Sequence, residues 1–596
     1  MKKISLFVIG ILVLSGLGAS VISEDTNDER VVTESIVFSE PIIFEHNQYV
    51  EVHLDETTSY LRDPGSPLLP MYTKLFTFPT GTTIKDVCCT FSSVEQISLS
   101  KEVIPASKPT PVSSFKAGSK KEVLLKSNKV YSSENLYPET RFNYRLGAGL
   151  DGNKPVLFVA IQYSPIVYSP QRNVLYYTPE TTIKIMYETF QPMICSADEY
   201  DLVVIAPSDF SEALQPLIDH KNGIGLTTTL KTTEEIYAEY SGRDEAEQIK
   251  YFIKDALETL GVDYVLLVGS IYKLPMRISM ASLWHFEGDT LTDLYYSDIY
   301  DEYAEFSSWD TNDNDYFGED DDEVDLYPDV HIGRLPCDSI EEVDVVVDKI
   351  IHYETGTYGQ DWFSDMIFIG GNTFKWFPGN EGEENNEIIM EIMSDFNPTK
   401  IWTSLRNFNR KTINNAINEG AGFLDYSGHG FEHGMGTYPP YFGDLKFYFT
   451  PYINGLANGY KLPIMFFDAC LTAKLDFVLQ DILDYKEYRV FNLLAKILHI
   501  DTSVPLPVFA YYFLKHEGGG AIATIGATRT AYGGVDDGAG KMSIEFFSAY
   551  ESSEMLGQMM TQAQNEYITD VPTDAFTVEE FTLLGDPSLM IGGYPQ

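Results

Sequence analysis

Cysteine is scarce in this chain. The five cysteines among 596 residues are too few, and odd in number, for an extracellular domain held together by disulfide bonds. At least one thiol therefore has no disulfide partner. Such a thiol is either a small buried core residue, which is the commoner case, or a nucleophile. The cysteines are Cys88, Cys89, Cys195, Cys337 and Cys470.

Basic residues are also few. The chain has 41 lysines and arginines against 88 aspartates and glutamates, which gives a formal net charge of −47. A nucleic-acid-binding surface needs clustered lysine and arginine to displace counterions, so the composition excludes nucleic acid as a partner. The acidity favours solubility through self-repulsion, and bound metal ions are a second interpretation of local carboxylate clusters.

Long apolar runs are confined to the N-terminus. Lys2 and Lys3 precede an apolar run from Ile4 to Leu17, and small residues follow at 18–20. This pattern is typical of a secretory signal peptide, and the run is too short for a stable membrane span. We predict a signal peptide at residues 1–23, no stable membrane span in the mature form, and a secreted or cell-surface location.

The sequence from about residue 30 to 190 has the residue pattern of β-strands. Runs such as Val32–Phe38, Val156–Tyr163 and Thr182–Tyr187 cluster β-branched and aromatic residues, and turns rich in proline and glycine separate them. No segment has helical periodicity over a useful length. We therefore predict a β-rich domain at 24–195.

The pattern of apolar residues changes near residue 198. Apolar strand-like runs such as Tyr200–Ala206 and Tyr264–Val268 alternate with helical segments such as Asp244–Leu260. Alternation of this kind predicts a mostly parallel sheet with helices on both faces. We assign residues 196–596 to this α/β domain and expect a linker at about 190–199.

Two predicted strands each end close to a residue with catalytic chemistry. The strand over Gly422–Tyr426 leads to His429, and the strand over Ile464–Phe467 leads to Cys470. Active sites of open α/β sheets form beyond the carboxyl ends of strands, where a histidine can take the proton of a thiol. Each residue alone also fits a structural role. The pair at matching strand ends favours a Cys–His dyad.

A zinc site at the same place is disfavoured. His433 follows His429 by four residues, which is the spacing of two zinc ligands on a helix. Gly430 and Gly434 make a helix unfavourable here, and the glutamate that accompanies such a pair is missing. The sequence therefore gives no support for zinc.

Several further motifs follow one another along the chain. They are YDLVVIAPSDF, GVDYVLLVGS, YPDVHIGRLPCDS, YSGHG, FFDAC, GGAIATIGATR and LLGDPSLMI, with GSPLLPMYTKLFTFPTGTTIKDV in the β-rich region. Together they resemble the gingipain-like cysteine peptidases, a family of caspase-like fold. The resemblance implies a mostly parallel sheet flanked by helices in two subdomains, about 196–355 and 356–596, behind a β-rich propeptide domain.

The resemblance also implies roles for individual residues. Cys470 matches the nucleophile and His429 the catalytic histidine of a secreted cysteine endopeptidase that hydrolyses proteins or peptides. Backbone N–H groups of Gly430 and Cys470 are expected to hold the oxyanion. Such an enzyme is made as a zymogen that its own prodomain inhibits, and no organic cofactor is expected.

The chain departs from the family pattern in two places. Some gingipains carry a glutamate beside two glycines, where it orients the histidine, and here Ile369 precedes that pair. The acid that selects a basic substrate residue falls in the segment GNEGEENNE, so the candidate substrate-binding residues are Glu381, Glu383 and Glu384. The missing acid also fits an alternative, a catalytically inactive calcium-binding surface or adhesion protein that retains the fold.

An acidic segment just past the middle of the chain has the spacing of a calcium loop. Asp310, Asn312 and Asn314 alternate, Tyr316 can offer its carbonyl, and Glu319 closes the segment. The glutamate comes two positions too early for an EF-hand, so a compact Asp/Asn loop is expected. We predict structural calcium here, with a solvated acidic loop as the alternative.

Overall fold

The computed structural model describes residues 23–24, 29–108, 126–189, 199–281, 289–373, 379–440, 443–484 and 489–595. The predicted signal peptide up to residue 22, the predicted linker over 190–198 and Cys195 lie outside the described residues.

The N-terminal region is built from short strands in four small sheets around a hydrophobic core of its own. Alternating apolar residues such as Val159, Ile161 and Ile185 are fully buried in that core. The described part of the region contains one helix, Asn128–Tyr131, so the prediction of a β-rich region is confirmed. The strands are Ser23–Glu24, Glu29–Val37, Ile42–Glu45, Tyr49–His53, Ser59–Leu61, Leu69–Pro79, Thr82–Phe91, Glu95–Ser98, Glu102–Val103, Phe142–Asp151, Lys154–Tyr163, Ile166–Ser169, Val174–Tyr177 and Glu180–Thr189.

The second region is organised around one sheet of ten strands, numbered here in chain order. They are β1 Leu202–Ala206, β2 Thr228–Thr232, β3 Tyr264–Val268, β4 His331–Leu335, β5 Asp365–Gly370, β6 Asn397–Trp402, β7 Phe423–Ser427, β8 Ile464–Asp468, β9 Ala523–Ala527 and β10 Phe581–Leu584. The spatial order is β2-β1-β3-β4-β10-β9-β8-β7-β5-β6.

The sheet consists of two parallel halves that run in opposite directions. All neighbouring strands are parallel except β9 and β10, which are antiparallel. The carboxyl ends of β7, β8 and β9 therefore lie on the same edge as the amino ends of β3, β4 and β10. The C-terminal strand β10 returns to pair with β4, so the last residues of the chain complete the first half of the sheet.

Helices cover both faces of the sheet. Phe466 packs on Phe546 with ring centroids 5.4 Å apart, and the next residue, Phe467, packs on Phe509 at the same distance. Successive strand residues face opposite sides, so the helices that carry these partners lie on opposite faces. The helices are α1 Ser211–Gly223, α2 Thr233–Glu239, α3 Glu245–Leu260, α4 Leu294–Ser297, α5 Ile340–Gly356, α6 Glu381–Ile392, α7 Arg410–Glu419, α8 Leu479–Leu483, α9 Arg489–Ile497, α10 Phe509–Lys515, α11 Gly538–Ser548, α12 Leu556–Asp570 and α13 Ala575–Glu580.

The N-terminal region is docked on the second region through its strand Phe142–Asp151 and the strand that follows it. Leu150 donates its N–H to the carbonyl of Pro328 (2.8 Å) and accepts from the Asn565 side chain of α12 (2.9 Å). The ring of Phe158 packs on Tyr327 with centroids 4.9 Å apart. Apolar and backbone contacts are combined in this interface.

This docking surface lies on the edge of the sheet where β3 and β4 begin. Asn153 contacts Tyr264, the first residue of β3, and His331, the first residue of β4. Arg62 forms ion pairs with Asp536 (3.0 Å) and Asp537 (3.2 Å), which follow the carboxyl end of β9. The N-terminal region therefore contacts the same edge of the sheet as the one at which β7 and β8 end.

Candidate active site

The ends of β7 and β8 bring the segments of His429 and Cys470 together. The two strands are parallel neighbours, with Ser427 paired to Asp468 at their last positions. Beyond them, a β-carbon added to Gly430 would lie 2.3 Å from the Cys470 carbonyl oxygen and 3.0 Å from its nitrogen. Only glycine permits backbones to approach this closely.

His429 lies in a short strand, His429–Phe431, that pairs with Gly434–Thr437. Its ring packs edge-on against Tyr438 (5.7 Å between centroids), and the residue is 2% exposed. Burial lowers the pKa of His429 to about 4, and a hydrogen bond to the backbone of Thr373 opposes this shift. The imidazole is therefore neutral at pH 7, the form that accepts a proton.

The imidazole ring of His429 is bonded to the backbone of Thr373. A hydrogen bond at one ring nitrogen fixes the tautomer and the direction of a histidine ring. The position at which the resemblance expects an acid is Ile369, a fully buried apolar residue of β5.

The Cys470 thiol is closed off from solvent. The residue is fully buried, and its Sγ donates to the carbonyl oxygen of Ala531 (3.4 Å) in the segment after β9. The next residue, Leu471, has a φ of +57°, a left-handed conformation that is costly for a branched side chain. Leu471 also donates its N–H to the Arg529 carbonyl (2.8 Å). The segment after β9 thus covers the thiol.

A group of buried carboxyl groups lies behind the strand ends. Ser427 donates to Asp468 (2.6 Å), while Asp425 accepts from Asn386 of α6 (2.6 Å) and Ser543 of α11 (2.9 Å). Burial raises the pKa of Asp425 and of Asp468 to about 7 each, and the charge of Asp468 adds to the rise at Asp425. Sequence reasoning missed Asp468, although an acid at the end of an apolar strand beside a cysteine was a signal for it.

The three candidate substrate-binding glutamates fall in different places. Glu381 is the first residue of α6. Burial raises the pKa of Glu381 to about 8, and the charge of Asp468 adds to this rise. Glu383 accepts hydrogen bonds from the N–H of Ser404 (2.9 Å) and the hydroxyl of Thr403 (3.2 Å), which tie α6 to the end of β6. Glu384 is exposed. Of the three, only Glu381 has the charge of Asp468 among the causes of a raised pKa.

The predicted calcium loop closes around Asp310. The carboxylate accepts from the Arg243 guanidinium (2.5 Å) and from the N–H groups of Asn314 (2.9 Å) and Asp315 (3.1 Å). Arg243 is therefore paired with the first of the predicted calcium ligands.

The other predicted calcium ligands are engaged with each other or exposed. Asn314 donates to Glu319 (2.6 Å) and accepts from the Tyr316 N–H (2.8 Å), and Asn312 is exposed. Within the described ranges, no group of three or more His, Cys, Asp or Glu side chains is arranged to hold a metal ion. As they stand, the residues do not fit a calcium shell, and an ion would have to displace Arg243 from Asp310.

The sequence of the α/β region matches one family model. That model describes peptidase family C25 and covers residues 196–592, two thirds of the chain. The chain belongs to peptidase family C25. The residues at the ends of β7 and β8 all lie within the part of the chain that defines the family.

Relatives of this C25 member include gingipains of Porphyromonas gingivalis. Gingipain R2 of strain W83 is 28% identical over 278 residues, which are 45% of this chain and 32% of that protein. Lys-gingipain of strain ATCC 33277 is 22% identical over 350 residues, 56% of this chain and 16% of that protein. The chain thus matches less than a third of the length of either relative.

One solved structure is similar to this C25 member over about two thirds of the chain. The crystal structure of the Arg-specific cysteine proteinase gingipain R has 22% sequence identity and a TM-score of 0.48, and the match covers 67% of this chain and 80% of that one. In the described part of the present chain, no helix has both the length and the apolar character needed to cross a membrane.

Proposed function

We propose that this protein is a cysteine endopeptidase in which Cys470 is the nucleophile and His429 moves the proton. The observation that carries the proposal is the contact of the Gly430 backbone with that of Cys470. This contact holds the thiol and imidazole segments together at the ends of adjacent parallel strands. A thiol and a neutral imidazole at this edge are the two groups that acyl transfer needs.

The chemistry follows in two steps. His429 takes the thiol proton, and the Cys470 sulfur bonds to the scissile carbonyl carbon. The oxyanion then meets N–H groups of Gly430 and Cys470. The C–N bond breaks as His429 returns the proton to the leaving amine, and water hydrolyses the thioester in the same manner.

Glu381 suits a substrate with a basic P1 side chain, the side chain of the residue that carries the scissile carbonyl. A buried carboxylate is costly unless a cation pairs with it, and no cation among the described residues contributes to the raised pKa of Glu381. One relative is named Lys-gingipain, and one similar solved structure is described as an Arg-specific cysteine proteinase. We assign Glu381 to the site that binds the P1 side chain. We place Glu383 and Glu384, which lie on the same helix, beside that site.

A thiol-directed peptide probe tests the function directly. The full chain, once active, is expected to react at Cys470 with a probe that carries arginine or lysine at P1, and mass spectrometry of the labelled peptide identifies the residue. His429→Ala is expected to slow labelling by about a hundredfold or more, because the imidazole no longer takes the thiol proton. Labelling at Cys337 alone, or none at all, would contradict the peptidase and favour the inactive surface protein.

We also propose that the N-terminal region, residues 24 to about 195, is an inhibitory prodomain. The described form is closed: Cys470 is fully buried under the segment after β9. Asp536 and Asp537 of that same segment are held by Arg62 of the N-terminal region. An exported peptidase needs such a cover, because an open site would attack neighbouring proteins during secretion.

Arg62→Ala is expected to loosen this cover. Each partly exposed ion pair contributes about 0.2–1 kcal/mol, so losing two raises the open population by up to about thirtyfold. The rate at which iodoacetamide alkylates Cys470 in the full chain reports that population. Arg172→Ala, at an exposed arginine of the same region, serves as the matched control. Equal alkylation rates in all three proteins would show that Arg62 does not hold the segment.

Removal of the prodomain requires a second protease if the P1 preference is basic. No lysine or arginine lies between Glu188 and Glu199, where the predicted linker begins and ends. An enzyme that cleaves after basic residues therefore has no site for self-processing in this linker. Processing after secretion by another protease is consistent with both proposals.

Calcium binding at Asp310 remains a prediction from the sequence, and chelation tests it. If calcium binds, a chelator is expected to lower the melting temperature of the full chain, since a ligand of the native state stabilises it by mass action. Arg243→Ala is expected to enlarge this response, because it frees the Asp310 carboxylate. If the chelator leaves the melting temperature of both proteins unchanged, the loop does not bind calcium and Arg243 alone closes it.

A further inference from the structure

The side chain of Tyr426 contacts the hairpin that carries His429. This hairpin consists of the strands His429–Phe431 and Gly434–Thr437, and we call it the His429 hairpin. Tyr426 itself lies in β7, between β5 and β8, so neighbouring strands hold its backbone on both sides. The side chain is fully buried, and burial raises the pKa of its hydroxyl, which therefore stays protonated and able to donate a hydrogen bond.

The tyrosine hydroxyl bonds both strands of the His429 hairpin. It donates to the carbonyl oxygen of His429 (2.8 Å) and to that of Gly436 (2.8 Å). These two residues lie opposite each other in the hairpin. Because a phenol has one hydrogen, the two oxygens share it. A single buried donor therefore ties the two strands to each other and to the ten-stranded sheet.

Gly428 allows the tyrosine to reach these carbonyl groups. A β-carbon added to Gly428 would lie 2.6 Å from the Tyr426 hydroxyl oxygen, which is closer than real β-carbons come to other atoms. Only glycine leaves room for this close approach. The two glycines of the segment YSGHG thus admit different neighbours, since Gly428 faces Tyr426 and Gly430 faces the backbone of Cys470.

The His429 hairpin carries the proposed base and one proposed oxyanion donor. Both His429 and the Gly430 N–H lie in its first strand. Its second strand leads into Tyr438, whose ring packs on the His429 imidazole. Without the Tyr426 hydroxyl, two buried carbonyl oxygens would each lose a hydrogen bond, which favours a shift of the hairpin. Such a shift would move the base and the oxyanion donor together, relative to the thiol.

We propose that Tyr426 is a positioning residue, whose hydroxyl holds the His429 hairpin so that the imidazole and the Gly430 N–H keep their places beside Cys470. This inference rests on the proposed peptidase function. Tyr426 acts through the two carbonyl groups that it bonds and takes no part in proton transfer. Its loss is expected to slow the chemical step and to leave substrate binding unchanged, because the reacting groups are the ones displaced.

Tyr426→Phe removes the hydroxyl and keeps the buried ring. In the active enzyme obtained by processing the full chain, kcat for a peptide with basic P1 is expected to fall about tenfold to a hundredfold, and KM to change by less than about twofold. A hydroxyl that serves stability alone would lower the melting temperature and leave kcat unchanged. Parent-like kcat, or a loss confined to KM, would therefore overturn the proposal.

Tyr448→Phe is the matched control. Tyr448 is fully buried in the strand Lys446–Phe449, which pairs with the hairpin strand Gly434–Thr437. Its hydroxyl donates to the side chain of Asn414 on α7 (2.9 Å) and not to the backbone of the hairpin. This variant is expected to lose a similar amount of stability and to keep the parent kcat. A loss of kcat equal to that of Tyr426→Phe would show that the effect is not specific to Tyr426.

Gly428→Ala tests the same contact from its other side. The added methyl group would displace the Tyr426 hydroxyl, so kcat is expected to fall by a similar factor. The double variant Tyr426→Phe with Gly428→Ala is expected to be no more than about twofold slower than Tyr426→Phe, since both changes remove one contact. Losses of rate that multiply in the double variant would contradict a shared contact.

Hydrogen exchange of the full chain distinguishes this proposal from the peptidase function. The N–H groups of the His429 hairpin are expected to exchange at least about threefold faster in Tyr426→Phe than in the parent, because fewer hydrogen bonds hold the hairpin. In Tyr448→Phe they are expected to exchange at the parent rate. Equal exchange in the parent and in Tyr426→Phe would overturn the proposal, whether or not the protein hydrolyses peptides. A parent protein that neither hydrolyses peptides nor reacts at Cys470 would remove the peptidase function, and with it the catalytic meaning of a hairpin that the exchange rates still report.

Discussion

Replacing Cys470 with alanine is expected to abolish peptide hydrolysis and to leave the fold intact. The thiol supplies the bond-forming atom, and losing one member of a cooperating nucleophile–base pair removes about 10⁴-fold or more of the rate. The side chain that replaces it fills nearly the same buried space, so the melting temperature should change by only a few degrees. Hydrolysis of a peptide with basic P1, and a thermal melt, measure the two effects.

The chain offers a matched control for this variant. Cys337 is also fully buried and lies two residues beyond the end of a strand, β4, as Cys470 lies two residues beyond the end of β8. Burial raises the pKa of Cys337, which keeps it an inert thiol. Cys337→Ala is expected to retain hydrolysis. Undiminished activity of Cys470→Ala would contradict the mechanism proposed here.

The double variant Cys470→Ala with His429→Ala adds a test of cooperation. If the two groups act as one unit, the double variant is expected to be no slower than Cys470→Ala alone. If the losses of rate in the two single variants multiply in the double variant, the two side chains act independently. That outcome would contradict the Cys–His dyad and leave the family membership of the chain unaffected.

Gly430→Ala is expected to lower kcat/KM by about a hundredfold to a thousandfold. The added β-carbon would lie 2.3 Å from the Cys470 carbonyl oxygen, so one of the two backbones must move. Both residues carry N–H groups of the proposed oxyanion hole, and losing one such donor costs about this much in rate. Steady-state kinetics on the active enzyme, beside the labelling rate of Cys470, measure the change.

Gly356→Ala is the control for the added methyl group. No heavy atom lies within 4 Å of a β-carbon at this position, which is the last residue of α5. The control should therefore keep the parent kcat/KM. Parent-like activity of Gly430→Ala would show that the contact with Cys470 does not position the oxyanion hole.

Much of the local structure was predictable from the sequence because it depends on neighbouring residues. The strand predicted at Tyr264–Val268 has the observed bounds, and the helix predicted from Asp244 begins one residue later with Asp244 as its cap. Apolar runs of five residues and capping side chains are local signals. Rules of sheet topology then placed His429 and Cys470 at strand ends from their motifs alone.

Contacts between distant residues were decided by the tertiary structure. Three contacts join segments that are far apart in the chain. They are the hydrogen bond of His429 to the backbone of Thr373, the pairing of Arg243 with Asp310 and the hydrogen bond from Ser427 to Asp468. No pattern of neighbouring residues encodes such a contact, because it depends on how separate elements pack.

The sequence by itself determined the resemblance to the family, the alternation of strands and helices after residue 198, and the motifs with Cys470 and His429. Only the tertiary structure decided that the second half of the sheet runs opposite to the first, which puts the N-terminal region and the thiol on one edge. It also decided that Glu381, but not Glu383, is affected by the buried charge of Asp468. The physical reason is that strand direction, register and burial are properties of the packed chain, and they set which charges meet in a low-dielectric interior.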